Sequence, residues 1–195
     1  ARPEQPAPAA VTAPTRHRWI AGSSTPGRGP QGRELGLAID WITAHTDLDP
    51  QSEAPGYISL RGDALSRMHG HGFAALALTQ AACLSPKSER GARIERALRA
   101  AIRCIEKSQG VEGGWWYEPK KSIAHEGSIT ICEVQALRAA HNAGFQVDAL
   151  TIGRALDYLT RSQKHDGSFR YALGEDRSTL ALTAAAIATL NAAGK

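Results

Sequence analysis

A small set of side chains in this sequence has the chemistry to bind or react. His69, His71, His125 and Cys132 are the ligand types that zinc prefers. Trp116, Tyr117 and Tyr171 offer aromatic surface suited to an apolar group, a cation or a peptide segment. Weighing against a metal, a lone cysteine in an alanine-rich run behaves as a small buried hydrophobe, and histidines beside glycine at a helix start serve as caps. No metal and no other cofactor is expected. Asp47-Leu48-Asp49-Pro50 sets two carboxylates in one turn, where they read as solvated charge or capping groups, and Lys120-Lys121 reads as a solvated loop pair.

The elements that must position these groups are helices. With 195 residues and 42% hydrophobic content the chain can bury a core but not build a large two-domain enzyme. Leu180 to Leu190, the longest low-polarity stretch, is about half the ~20 residues a membrane span needs. Cys83, Cys104 and Cys132 read as buried thiols without a disulfide framework, and the compartment stays undetermined. The net charge of +4 sits in the first 33 residues, where five arginines face Glu4 alone. The remainder carries 18 basic and 18 acidic residues, so no basic folded face points to nucleic acid.

Residues 1–31 hold six of the ten prolines with no hydrophobic period and are expected to form a disordered Ala/Pro-rich arm. Residues 32–195 are expected to form about three helix pairs. Ser108-Gln109 aligns with Ser162-Gln163, Glu112-Gly113-Gly114-Trp115 with Asp166-Gly167-Ser168-Phe169, and Tyr117 with Tyr171, each 54 residues apart. Leu137–Gly144 then aligns with Ile187–Gly194 at 50 residues, attributed to a shorter connection. Asp40-Trp41-Ile42-Thr43 aligns with Asp157-Tyr158-Leu159-Thr160 as a weaker first copy. Ile94, Leu98, Ile102 and Ile105 give one outer helix a single apolar stripe. The inner helices, about 127–143 and 178–193, are apolar enough to be covered on most sides. Ser85-Pro86 is read as a cap and first turn, and Asp148 as the cap of a helix over 149–162. Nothing alternates with period two, so the fold class is all-α. In the turns, Gln109 and Gln163 can bond orphan carbonyls at the helix end, the glycines permit the reversal, and Trp115 and Phe169 plug between pairs.

Gln109-Gly-Val-Glu-Gly-Gly-Trp115 and Gln163-Lys-His-Asp-Gly-Ser-Phe169 resemble the glutamine-tryptophan repeat of the squalene-cyclase and protein-prenyltransferase superfamily. The chain is also similar in flavour to uncharacterised bacterial squalene-cyclase-like repeat proteins. The resemblance implies an (α/α)6 toroid of alternating inner and outer helices around an apolar cavity, of which this chain supplies an arc or half. It would also imply an Asp-x-Asp-Asp acid or an Asp-x-Cys and histidine zinc site. The corresponding places read Asp47-Leu48-Asp49 and Thr130-Ile131-Cys132, without the full sets.

The expectation from sequence is therefore a noncatalytic binding or assembly module with a concave apolar face, with no catalytic residue assigned. Its ligand would be an apolar small molecule or a protein partner, touching His69, His71, Trp116, Tyr117, His125, Cys132 and Tyr171. The alternative is a terpenoid cyclase or prenyltransferase-type enzyme, or a fragment of one, acting on an isoprenoid. Because the last helix is apolar, a homodimer or missing downstream repeats are expected to cover it.

Overall fold

The computed structural model describes residues 24–60, 64–85 and 88–195; most of the expected arm, residues 1–23, lies outside the described residues. Within 24–31 the chain turns on itself, with Ser24 Oγ donating to Gln31 Oε1 at 3.0 Å. Six helices follow: α1 Gly32–Ala44, α2 Arg67–Leu84, α3 Glu89–Ser108, α4 Gly127–Asn142, α5 Ala149–Arg161 and α6 Leu180–Ala192. Among the described residues there is no strand, only isolated bridges such as Trp115 to Glu126 and Arg170 to Ser178. The fold is all-α, an arc of an (α/α) toroid in which α2, α4 and α6 form the inner layer and α1, α3 and α5 back them.

The helices form where the apolar spacing and caps require. Ile94, Leu98, Ile102 and Ile105 are all buried on one side of α3. Asp148 caps α5 by accepting from the Leu150 and Thr151 amides, both at 3.1 Å. Glu126 and Thr179 cap α4 and α6 in the same way, accepting from Ile129 and Leu182. The largest interface joins α2 to α4. It is close because Gly72 has no side chain: a Cβ there would lie 3.0 Å from the Cys132 carbonyl carbon.

α2 and α4 each pack more extensively on the outer helix that follows than on the one before. The connections explain this. Inner-to-outer links are short (85–88 and 143–148), whereas outer-to-inner links are long (45–66, 109–126 and 162–179). All three long links gather at one rim of the arc, beside the N-termini of the inner helices.

Several expectations are corrected. α3 starts at Ser88, not Ser85-Pro86: Ser88 Oγ accepts from Gly91 N–H at 3.0 Å, while Ser85 ends α2. A Cβ at Gly91 would meet the Ser85 carbonyl at 2.3 Å, so the reversal needs that glycine. The fall in repeat spacing comes mainly from the helix: α6 has 13 residues against 16 in α4. Cys83 is exposed, while Cys104 and Cys132 are buried; none is disulfide-bonded. α6 is covered on one side only, by way of Leu182, Ala186 and Thr189. Among the described residues no helix is long and apolar enough to cross a membrane.

Candidate functional site

The rim holding the long links carries most of the candidate residues. His69 sits in the first turn of α2, and its Nε2 lies 2.7 Å from Ser128 Oγ on α4. Ser128 Oγ in turn donates to Glu126 Oε2 at 2.6 Å, and the same oxygen accepts the Ile129 amide at 2.9 Å. Because the serine proton is committed to Glu126, the His69 contact is one in which Nε2–H donates to the serine oxygen. Among the described residues Nδ1 makes no hydrogen bond. Burial holds the His69 imidazole below its usual range, opposed by the nearby Glu126 carboxylate, so it is neutral at pH 7. Glu126 Oε1 is buried and has no hydrogen-bond partner.

Tyr117 packs beside His69, with ring centroids 5.8 Å apart, and Trp116 meets it edge-on at 4.8 Å. The Arg67 guanidinium lies 5.5 Å from the Tyr117 ring centre, and Arg177 lies 4.1 Å from that of Tyr171. Burial, then Glu126, raise the Tyr117 hydroxyl above its ordinary value, so it keeps its proton. Arg67 has a φ of 43°, a left-handed conformation costly for a side-chain-bearing residue, at the first position of α2.

Below this rim a cleft of about 350 Å³ runs along the inner layer, lined by His69, Phe73, Ser128, Cys132, Gln135 and Tyr171 among others. Its walls come from α2, α4 and α6, so the three inner helices jointly shape it.

The other candidates lie elsewhere. His71 is not a cap but a fully buried core residue: Nδ1 accepts from Ile58 N–H at 3.1 Å and Nε2–H donates to the Ala101 carbonyl at 3.3 Å. Burial pushes its pKa down to about 4. His125 pairs through Nδ1 with the Tyr158 hydroxyl at 3.0 Å, towards the outer layer. Cys132 lines the cleft floor, and burial, then Glu133, drive its thiol pKa upward, so it stays a thiol. Among the described residues no three His, Cys, Asp or Glu side chains gather as a metal-binding group. Asp47 and Asp49 accept from the amides two residues on, at 3.0 and 2.9 Å, as turn residues do.

The repeat turns are packing devices. Trp115 is buried, with Nε1–H donating to the Ile105 carbonyl at 2.8 Å and its amide donating to Thr130 Oγ1. Phe169 repeats the amide contact with Thr183 Oγ1 at 3.1 Å. Gln109 bonds the carbonyls of Gly113 and Thr151, so it joins its own turn to the next outer helix and does not cap α3. Sequence reasoning missed Arg67, Glu126, Ser128 and Arg177. The capping position of Glu126 before an apolar run was the signal that could have found it.

No protein-family profile matches the chain, and no curated protein sequence does. Solved structures do. A polysaccharide lyase matches with a TM-score of 0.62 at 18% identity, over 93% of this chain and 57% of that one. Glycosyl hydrolase family 88 from Bacteroides vulgatus matches with a TM-score of 0.62 at 15% identity, over 93% of this chain and 58% of that one. The chain therefore spans a little over half the length of each, and at such identities the likeness shows the fold. It overturns the squalene-cyclase and prenyltransferase resemblance, and with it both the noncatalytic binding or assembly module with a concave apolar face and the isoprenoid-enzyme alternative. The reason is physical: the Gln…Gly-Gly-Trp turn reports how helix pairs are joined, as Gln109 and Trp115 do here, and is silent about the ligand.

Proposed function

We propose that the chain is part of a carbohydrate-processing (α/α) toroid enzyme whose rim acts on an acidic polysaccharide by β-elimination. The observation that carries this reading is the pairing of a neutral His69, its Nδ1 free, with a protonated Tyr117 flanked by guanidinium groups at the mouth of the cleft. The polysaccharide lyase and glycosyl hydrolase likenesses support the substrate class.

The chemistry follows from the groups. A uronate has an acidic C–H next to its carboxylate, and a cation on that carboxylate makes the proton easier to remove. Arg67 and Arg177 would supply the cation. His69 Nδ1 would take the proton, and the electron pair would form the new C=C bond as the glycosidic C–O bond breaks. The Tyr117 hydroxyl would protonate the leaving oxygen. Ser128 and Glu126 would hold His69 in the tautomer that leaves Nδ1 as the base. Trp116 and Tyr171 would stack on sugar faces. Two-carboxylate hydrolysis is less well supported, because it needs a second carboxyl group roughly 5–9.5 Å from the first, and Glu126 is already committed to the helix cap and Ser128.

The test is incubation of the protein with uronate-containing polysaccharides while following ultraviolet absorbance of the new double bond. Activity lost about a hundredfold or more in both His69→Gln and Tyr117→Phe is expected. Reducing-end release without the absorbance change would replace elimination by hydrolysis, and no turnover on any acidic glycan would sink the reading.

A further inference from the structure

The outer face of α3 keeps charges that the fold does not use. The helix carries six basic and three acidic residues, a local excess that the overall charge balance of the folded part conceals. Arg90 and Arg93 pair with Asp40 at 2.8 and 3.2 Å, and Arg93 also meets Glu89. Arg99 lies 5.1 Å from the Phe145 ring centre and 3.9 Å from Glu95. Among the described residues, Arg96, Arg103 and Lys107 make no ion pair and no side-chain hydrogen bond, and all three are exposed. Arg96 to Arg99, Arg99 to Arg103 and Arg103 to Lys107 are each three or four residues apart, so like charges repel along one side of the helix.

These side chains border a groove whose walls run from Asp47 to Asp148, well inside the chain. On one side α3 faces the 45–66 link across a cavity of about 240 Å³, lined by Asp47, Leu48, Pro50, Arg96, Arg103 and Lys107 among others. On the other it faces the 143–148 link across a cavity of about 440 Å³, and Arg103 lines both. Both walls are fixed to α3. Gly56, at φ 91°, lies so close that a Cβ there would be 2.0 Å from the Ala100 carbonyl oxygen. On the far side the Asp148 amide donates to Glu106 Oε1 at 2.8 Å. The carboxylates of the groove are thus engaged with backbone amides: Glu106 with that of Asp148, Asp148 with those of Leu150 and Thr151, and Asp47 with that of Asp49. Its cations are left to meet an anion.

The groove selects among anions. A guanidinium can hold a carboxylate by two parallel hydrogen bonds. Arg96 and Arg103 stand seven residues apart, roughly 10 Å along the helix, which suits a polymer with repeated carboxylates better than one small anion. Leu48, 45% exposed, and Pro50 give sugar rings an apolar wall. No aromatic residue lines either cavity, so the bases of a single nucleic-acid strand would find no stacking surface.

We infer that this groove is a second, noncatalytic binding site for a uronate-containing polysaccharide, whose carboxylates sit on Arg96, Arg103 and Lys107. The site rests on the proposed function for the class of its polymer; its occupancy needs no chemistry at the rim.

Isothermal titration with oligomers of polygalacturonate, alginate and hyaluronan tests this, on Tyr117→Phe and on Tyr117→Phe carrying Arg96→Ser and Arg103→Ser. The shared substitution keeps the oligomer from being consumed. Both arginines are exposed, and circular dichroism checks that each variant is folded. The expected result is that at least one oligomer titrates as two sites, one of which weakens about tenfold or more when both arginines are gone. Unchanged binding in the arginine variant overturns the site and leaves the rim reading standing. Binding that the arginine variant weakens, in a protein whose wild type eliminates none of these polymers, upholds the site and sinks the rim reading. No binding of any oligomer, or a single-stranded DNA held at the groove as tightly, overturns the site.

Discussion

The side-chain nitrogen of Gln109 sits 2.9 Å from the carbonyl oxygen of Thr151, across 42 residues of sequence, and so fastens the second unit to the third. The same nitrogen donates to the Gly113 carbonyl at 2.9 Å, which fixes the turn that carries Trp115. Gln109→Ala removes the donor that ties the Gly113 and Thr151 carbonyls together and is expected to cost about 1–3 kcal/mol, seen as a lower urea midpoint. Gln163→Ala, at the exposed counterpart, is expected to change the monomer's stability by under about 0.5 kcal/mol.

The two glycines of those turns should separate strain from collision. Gly113→Ala must place a Cβ 2.4 Å from the Arg154 carbonyl as well as hold a left-handed φ. Gly167→Ala meets only the left-handed cost, about 1 kcal/mol. Thermal denaturation of the two variants is expected to show Gly113→Ala as the worse by several degrees; equal losses would mean that the α5 carbonyl yields freely.

Glu133 is buried within α4 with both carboxyl oxygens lacking a hydrogen-bond partner, and burial raises its pKa well above the usual carboxylate range. A folded-state pKa above the unfolded one stabilises the protein fully below the unfolded value of ~4.3, and this contribution is lost as pH rises towards the folded value. The Glu133 contribution should therefore fall as pH climbs from about 4.3, against the opposite trend from buried His71, whose lowered pKa adds stability as pH rises towards ~6.5. Glu133→Met, similar in size and unable to ionise, is expected to flatten that slope and to gain about 1–3 kcal/mol at pH 8. Urea unfolding at several pH values checks both; a parallel pair of curves would show that Glu133 finds a polar partner.

On the reading of His69 as the base, the acid limb of activity should lie below the ordinary histidine value of ~6.5, because burial disfavours the imidazolium. Ser128→Ala removes the oxygen that accepts from Nε2 and frees the ring to change tautomer. The expected signature is a reduced kcat with KM little changed, and a shifted acid limb. A KM effect alone would assign Ser128 to substrate binding.

The fold was legible in the sequence because its signals are local and repeated. The stripe through Ile94 and Ile105, the Asp148 cap and the 54-residue turn spacing each need only a short window to be read. The Ser88 cap was missed because Ser85-Pro86 carries an equally good local signal, and only the tertiary approach of Gly91 to the Ser85 carbonyl decides between them. Of the site, the sequence offered His69, Trp116, Tyr117 and Tyr171 as residue types. It could not bring Glu126 and Ser128 to His69, 57 and 59 positions away, since that proximity depends on how α2 packs on α4. The same limit misdirected the ligand class, because a turn that joins helices looks alike whatever the cavity holds.

All three inner helices begin at the rim where the long links gather, so their peptide dipoles point the same way. Each presents partial positive charge at its first turn, and these fields add to those of Arg67 and Arg177. An anionic polymer would be drawn towards that edge of the arc from several ångströms away, over about the 10 Å that 0.1 M salt permits. Added salt would thus slow encounter while leaving turnover of the bound chain nearly untouched.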